Sequence, residues 1–273
     1  MSTSRARVLL HALLLGAAAI TLFPLLWMLS VSFMAGGEAS AFPPPLLPGH
    51  ATLANYRQLF GRKNIGSYLT NSLWLAGLMT LLSLLFNSMA GYSFAKLRFR
   101  GREPILRVLL AALVIPSQVA MLPLFLLIKW LGLVNTYAAV VVPAMAGIFG
   151  VFLVRQYALT IPDELLEAAR IDGASELRIF TSIVLPALRP ILVTLAVFTF
   201  LGSWNDFMWP LIVLTDQDLY TLPIALATLS REHVQDYELM MAGAVLTVLP
   251  VLVLFLALQR YYIRGILMGS VKG

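Results

Sequence analysis

No cysteine stands anywhere in the 273 residues, which excludes both a disulfide framework and a thiolate metal site. Histidine is nearly as scarce. His11, His50 and His233 fall on separate segments with no partner at ligand spacing, so a histidine metal centre is set aside as well. The largest deficit is charge: Asp, Glu, Lys and Arg make up 12% of the chain, against roughly 25% in an ordinary soluble domain. No phosphate-binding loop of the form G-x-x-x-x-G-K-[ST] is present, so the chain lacks the usual means of holding ATP. An enzyme would need acids, bases or nucleophiles converging at one depth, and the nearest approach inside an apolar run, Trp204-Asn205-Asp206, has no His, Cys or Lys beside it.

What the chain has instead is apolar length. Sixty per cent of it is hydrophobic and its mean hydropathy is +0.87. A helix needs about 20 apolar residues to cross a hydrocarbon layer about 30 Å thick, and six stretches qualify, at about 8–31, 68–94, 105–128, 137–157, 188–214 and 239–262. All six are expected to be helices, because backbone polar groups cannot go unpaired in lipid and the alternating period of barrel strands is absent. The expected fold is thus an all-α polytopic membrane protein, one transmembrane domain over residues 1–273. The first run follows Arg5 and Arg7 as a secretory leader would. Its apolar part, however, continues through Leu22, Phe23, Leu25, Leu26, Trp27 and Met28, beyond the usual 7–15 or so residues of a leader's core, and it is read as a retained span.

Lys and Arg gather on the cytoplasmic side of membrane proteins. With the N-terminus inside, that side holds Arg5, Arg7, Lys96, Arg98, Arg100, Arg102, Arg107, Arg155, Arg170, Arg178, Arg189, Arg260, Arg264 and Lys272, fourteen in all, while Arg57, Arg62, Lys63, Lys129 and Arg231 lie outside. Both termini and the 158–187 loop are therefore expected in the cytoplasm. The same distribution accounts for the net charge of +6 without a nucleic acid partner. Of the outside segments, 34–67 is rich in turn-forming Gly and Pro, and 215–238 is acidic and read as solvated, with an external partner as the alternative.

The 158–187 loop is patterned more closely than a connection requires. Ile161-Pro162-Asp163-Glu164 marks a helix start, with proline in the first turn and carboxylates at the positive end of the helix dipole. Leu165, Ala168, Ala169 and Asp172 then share one face whose alanines permit close approach to a groove. Gly173 allows a chain reversal. A second amphipathic helix is expected to present Leu177, Phe180 and Val184 until Pro186 stops it.

Glu167, Ala168, Ala169, Gly173, Ile183, Leu185 and Pro186 stand in the spacing E-A-A, three residues, G, nine residues, I-x-L-P. Together with AGYSFAKLRFRGR at 90–102, LGLVNTYAAVVVP at 131–143, RQYALTIPDELLEAARIDGAS at 155–175, WNDFMWP at 204–210 and QRYYIRGILMGSVKG at 259–273, this pattern resembles the membrane subunits of ATP-binding-cassette importers. Within them it is most similar to the smaller, MalG-like permeases of the maltose type. The resemblance runs from about Asn71 to the C-terminus. It implies a type I importer permease fold in a bacterial inner membrane, a second, MalF-like permease completing the pore, a homodimer of ATPase subunits that binds ATP and Mg, and a soluble sugar-binding protein. It further implies that the helix around Glu167, Ala168, Ala169, Arg170, Asp172 and Gly173, with Ile183, Leu185 and Pro186 after it, docks on an ATPase subunit. The chain itself is expected to hold no cofactor and to catalyse nothing.

The expected cargo is a di- or oligosaccharide, with glycerol phosphate or a polyol as the alternative. An ion-coupled secondary transporter is the competing class, disfavoured by spans without evident duplication and with almost uncharged interiors. Trp204, Asn205 and Asp206 have two open readings: side chains lining a sugar path, or, with Trp209, part of an aromatic belt at the outer interface. Pro116, Pro123, Pro143, Gly147, Gly150 and Pro190 are expected to bend spans or let them pack closely.

Overall fold

The structure is a computed structural model that describes residues 2–62, 64–232 and 236–270. Lys63, His233 and Lys272, all counted above, lie outside the described residues. Helices are the main regular structure of the described residues, with no strand among them. The chain forms two compact units, one of Met1–Ser67 with Leu222–Leu252 and one of Tyr68–Thr221 with Val253–Gly273.

The first unit contains α1 (Ser2–Val31), α2 (Ala54–Arg62), the first residues of α3 (Ile65–Lys96), α13 (Leu222–Glu232) and the first half of α14 (Tyr237–Ser270). α1 buries none of its apolar stretch within the chain. The 34–67 segment is held by polar side chains that replace the missing helical hydrogen bonds. Asn55 donates to the carbonyls of Ser32 and Met34, Tyr56 donates to Ser32 Oγ at 2.9 Å, and Glu38 accepts from the Ala35 and Gly49 amides. The acidic 215–238 segment departs from its solvated reading: Thr221, Leu222, Ile224, Ala225 and Leu229 are buried. Glu238 is completely buried, and its Oε1 accepts from the Ala39 amide at 2.7 Å.

In the second unit four helices follow α3: α4 (Arg102–Ala112), α5 (Ser117–Trp130), α6 (Tyr137–Ala144) and α7 (Ile148–Ala158). The third apolar run is not one straight span: α4 and α5 meet at 109° around Pro116, a residue that lacks an amide proton and constrains the residue before it away from the helical region. α6 and α7 instead read as one crossing, Tyr137–Ala158. The fifth run is shorter than expected. α11 (Arg189–Trp204) ends at Trp204, and a separate short helix, α12 (Met208–Val213), follows. Among the described residues four helices are long and apolar enough to cross a membrane, or up to six if each bent pair counts as one span.

Candidate functional site

The patterned loop folds as α8 (Asp163–Ile171), α9 (Glu176–Ile179), a π turn over Phe180–Val184, and α10 (Leu185–Ala187), which leads at 78° into α11. α8 starts where the proline and the two carboxylates place it, with Pro162 at its N-cap. Gly173 has φ +79° with open space around its Cα, so the reversal requires glycine for backbone reasons and not for room. Ser175 then caps α9 through the Arg178 amide.

Pro186 does not stop the second helix. It lies inside α10, and the π turn before it, in which the Leu185 amide reaches back to the Phe180 carbonyl, widens the backbone ahead of the ring. The buried stripe also differs from the expected one. Ile179, Phe180 and Val184 are buried while Leu177 is 69% exposed, because the face turned inward runs through Ile179, Phe180, Ile183 and Val184. In α8, Leu166 faces inward and Ala169 packs beside it, whereas Leu165, Glu167, Ala168, Arg170, Ile171 and Asp172 face out. Of the alanine pair, then, only Ala168 is presented on the surface. Ile183 and Leu185 are half-buried against the same core, and Pro186 is exposed.

That core joins the loop to three longer helices: Tyr92 and Ala95 of α3, Val154 and Ala158 of α7, and Leu195 of α11 pack with Ile161, Leu166, Ile179, Phe180, Val184 and Leu188. Its polar margin is ionic. Lys96 Nζ, almost buried, donates to the Ile161 carbonyl and, at 2.7 Å, to Asp163 Oδ1. Arg170 Nε meets Glu176 Oε1 at 2.6 Å, and Tyr92 Oη donates to Glu176 Oε2 at 3.0 Å. The Lys96 hydrogen bond holds the Asp163 carboxyl below its usual range, and the Arg170 hydrogen bond does the same for Glu176. A cavity of about 700 Å³ opens alongside, bounded by Lys96, Arg98, Arg102, Asp163, Glu167 and Arg170 among others. The loop is therefore a preformed, charge-braced projection, its exposed apolar side chains Leu165, Ile171 and Leu177 left without cover.

Trp204, Asn205 and Asp206 differ in exposure, Trp204 being buried, Asp206 half-buried and Asn205 exposed. Trp204 is 1% exposed and stacks on Phe200, Asn205 donates to the Leu201 carbonyl of its own helix, and Asp206 accepts from the Trp209 amide at 3.4 Å. Trp209 is buried too and donates to the Ala139 carbonyl, so neither indole marks a lipid interface. The trio stands where α11 ends, ahead of the start of α12. Asn135, which the sequence reading did not single out, completes this region: in the left-handed conformation at φ +61°, its Oδ1 accepts from the Thr215 and Asp216 amides. An Asn before a β-branched Thr and an apolar run was the available signal, since Asn tolerates that conformation better than most residues.

Residues 87–267 match the model of the binding-protein-dependent transport system inner membrane component. The chain is 43% identical over 263 residues to the arabinooligosaccharides transport system permease protein AraQ of Halalkalibacterium halodurans, covering 94% of this chain and 93% of that one. It is 34% identical to the lactose transport system permease protein LacG of Rhizobium radiobacter, with both chains covered in full. To the sn-glycerol-3-phosphate transport system permease protein UgpE of Escherichia coli it is 32% identical, with 94% of each chain covered. In fold it matches a chain of a bacterial ABC transporter involved in import of the acidic polysaccharide alginate, with a TM-score of 0.85 at 22% identity over 96% of this chain and 98% of that one. With the apolar helices and the braced loop already in place, these likenesses assign the chain to the inner-membrane permease components of binding-protein-dependent transport systems.

Proposed function

We propose that this chain is one of two permease subunits of an ATP-driven sugar importer, that it takes an oligosaccharide delivered by an external binding protein, and that it couples to an ATPase through α8. The observation that carries this reading is the loop itself: a helix of nine residues that ends in a left-handed glycine, is fixed by two ion pairs and presents Leu165, Ala168 and Ile171 outward. Exposed apolar side chains on a rigid base suit a cleft in a partner. In this reading ATP and Mg are held by the ATPase pair, both termini and the loop lie in the cytoplasm, and the second permease completes the path. The 43% identity to an arabinooligosaccharide permease favours oligosaccharides. The 32% identity to a glycerol-3-phosphate permease keeps that cargo as the second reading.

The test is uptake by the reconstituted complex with its binding protein against a panel of oligosaccharides, disaccharides and glycerol 3-phosphate. ATP-dependent uptake of an oligosaccharide, absent when the ATPase pair is omitted, is the expected result. Uptake driven by an ion gradient without the ATPase would sink the reading.

A further inference from the structure

α3 is unbroken from Ile65 to Lys96 and contains no proline. Its last turn and a half is bound to the loop and to α7 from three sides. Lys96 takes up both the Ile161 carbonyl, just ahead of α8, and the carboxylate of Asp163, the first residue of α8. One turn earlier, Tyr92 donates to Glu176, the residue that also pairs with Arg170 and so ties the end of α8 to the start of α9. The Tyr92 ring lies 5.7 Å from that of Phe180 at the π turn. Arg155 of α7 donates to the Phe94 carbonyl. At the other end of the helix, Asn71 donates to the carbonyls of Asp218 and Tyr220, at 2.8 and 3.0 Å. From Asn71 to Lys96 is roughly 37 Å at the helical rise.

By contrast, the covalent route out of the loop passes through a π turn and a 78° bend before α11 begins. A bend is a joint, and it conveys displacement less directly than an unbroken helix gripped at both ends.

Given that α8 docks on the ATPase, we propose that Tyr92 and Lys96 are positioning residues for coupling: they fasten the docking loop to α3, so that a displacement of the loop is delivered along that helix to the Asp218–Tyr220 segment. Their loss disconnects the loop from α3 while leaving the exposed face of α8 intact.

The experiment uses the full complex in proteoliposomes and reads two quantities, substrate taken up per ATP hydrolysed and crosslinking of Ala168→Cys to the ATPase subunit. Tyr92→Phe removes a single hydroxyl, Lys96→Met removes the ammonium, and Lys96→Arg keeps the charge. Tyr92→Phe and Lys96→Met are each expected to lower uptake per ATP by about three- to tenfold, the scale of one or two lost hydrogen bonds, while the crosslink forms and Lys96→Arg recovers most of the ratio. A merely structural role would reduce the amount of assembled complex and leave that ratio unchanged. An unchanged ratio in Tyr92→Phe and Lys96→Met with the crosslink intact overturns the proposal and leaves the docking reading standing. Absence of the crosslink with otherwise native residues overturns the docking reading and this proposal with it. If Lys96→Met fails to assemble, Tyr92→Phe decides alone.

Discussion

Gly91 and Gly150 set how closely α3 and α7 approach. A Cβ at Gly91 would stand 2.6 Å from Val154 Cγ1 and 2.9 Å from the Arg155 amide nitrogen, and one at Gly150 would stand 2.5 Å from Asn87 Nδ2. Backbone cannot yield as a long side chain can, and the Asn87 amide is itself held by Ser83 Oγ at 2.7 Å. Gly77, also on α3, has nothing within 4 Å of that position. Gly91→Ala and Gly150→Ala are therefore expected to destabilise the protein by about 1–3 kcal/mol each, the usual range for an overpacked contact. Gly77→Ala should be neutral or stabilising by about 0.5–1 kcal/mol through lost chain entropy, unless lipid or a partner lies there. Thermal unfolding of the purified complex checks this. Equal melting temperatures for all three variants would mean that α3 and α7 are not packed at Gly91 and Gly150. The sequence carried a signal for Gly91 that went unused: Gly91 and Ala95 are a small pair four residues apart, a common signature of close helix packing in membranes.

At the scale of elements, the beginning of the loop was legible and its end was not. The helix start and the glycine reversal follow from local chemistry, which acts within a few residues. The inward face of the second half does not, because it is set by packing against Tyr92, Val154 and Leu195 on helices distant in sequence. Glu176, exposed at the edge of that face, takes its hydrogen bond from Tyr92, 84 residues away in sequence. Leu177, which apolar spacing alone puts on that face, stands outward and uncovered.

The same ionic brace makes the loop sensitive to acid. Both carboxyls titrate below their ordinary values of 3.8 for Asp163 and 4.5 for Glu176, each chiefly because of a hydrogen bond from its cationic partner. A depressed folded value means that the brace is fully present above those ordinary values and is lost as pH falls through the lower, folded ones. A spin label on Ala168→Cys should therefore gain mobility as the pH is lowered from above those ordinary values to below the folded ones. In the Asp163→Asn, Glu176→Gln double variant the label should already be mobile at the higher pH and change little. Acid-induced mobility identical in the two backgrounds would assign the effect to other groups.

For the molecule as a whole, hydropathy located every apolar run but not its geometry, since composition records how much chain is apolar and not where it bends. The 109° turn between α4 and α5 and the halt of α11 at Trp204 both fall inside stretches that read as continuous. Orientation rests on different physics, the asymmetry of Lys and Arg, and the absence of native cysteine makes it directly measurable. His50 and Arg100 are both exposed and lie on either side of α3 in sequence, while Ser175 is exposed on the braced loop. One crossing separates His50 from Arg100, so the two must report opposite faces if α3 spans the bilayer. A single cysteine at His50 is expected to react with an impermeant thiol reagent added outside intact cells. Cysteines at Arg100 and Ser175 should react only after the membrane is opened, which places the loop on the side where ATP is found. Labelling of Ser175→Cys from outside would reverse the orientation and remove the docking reading. Labelling of both His50→Cys and Arg100→Cys from outside would show that α3 does not cross.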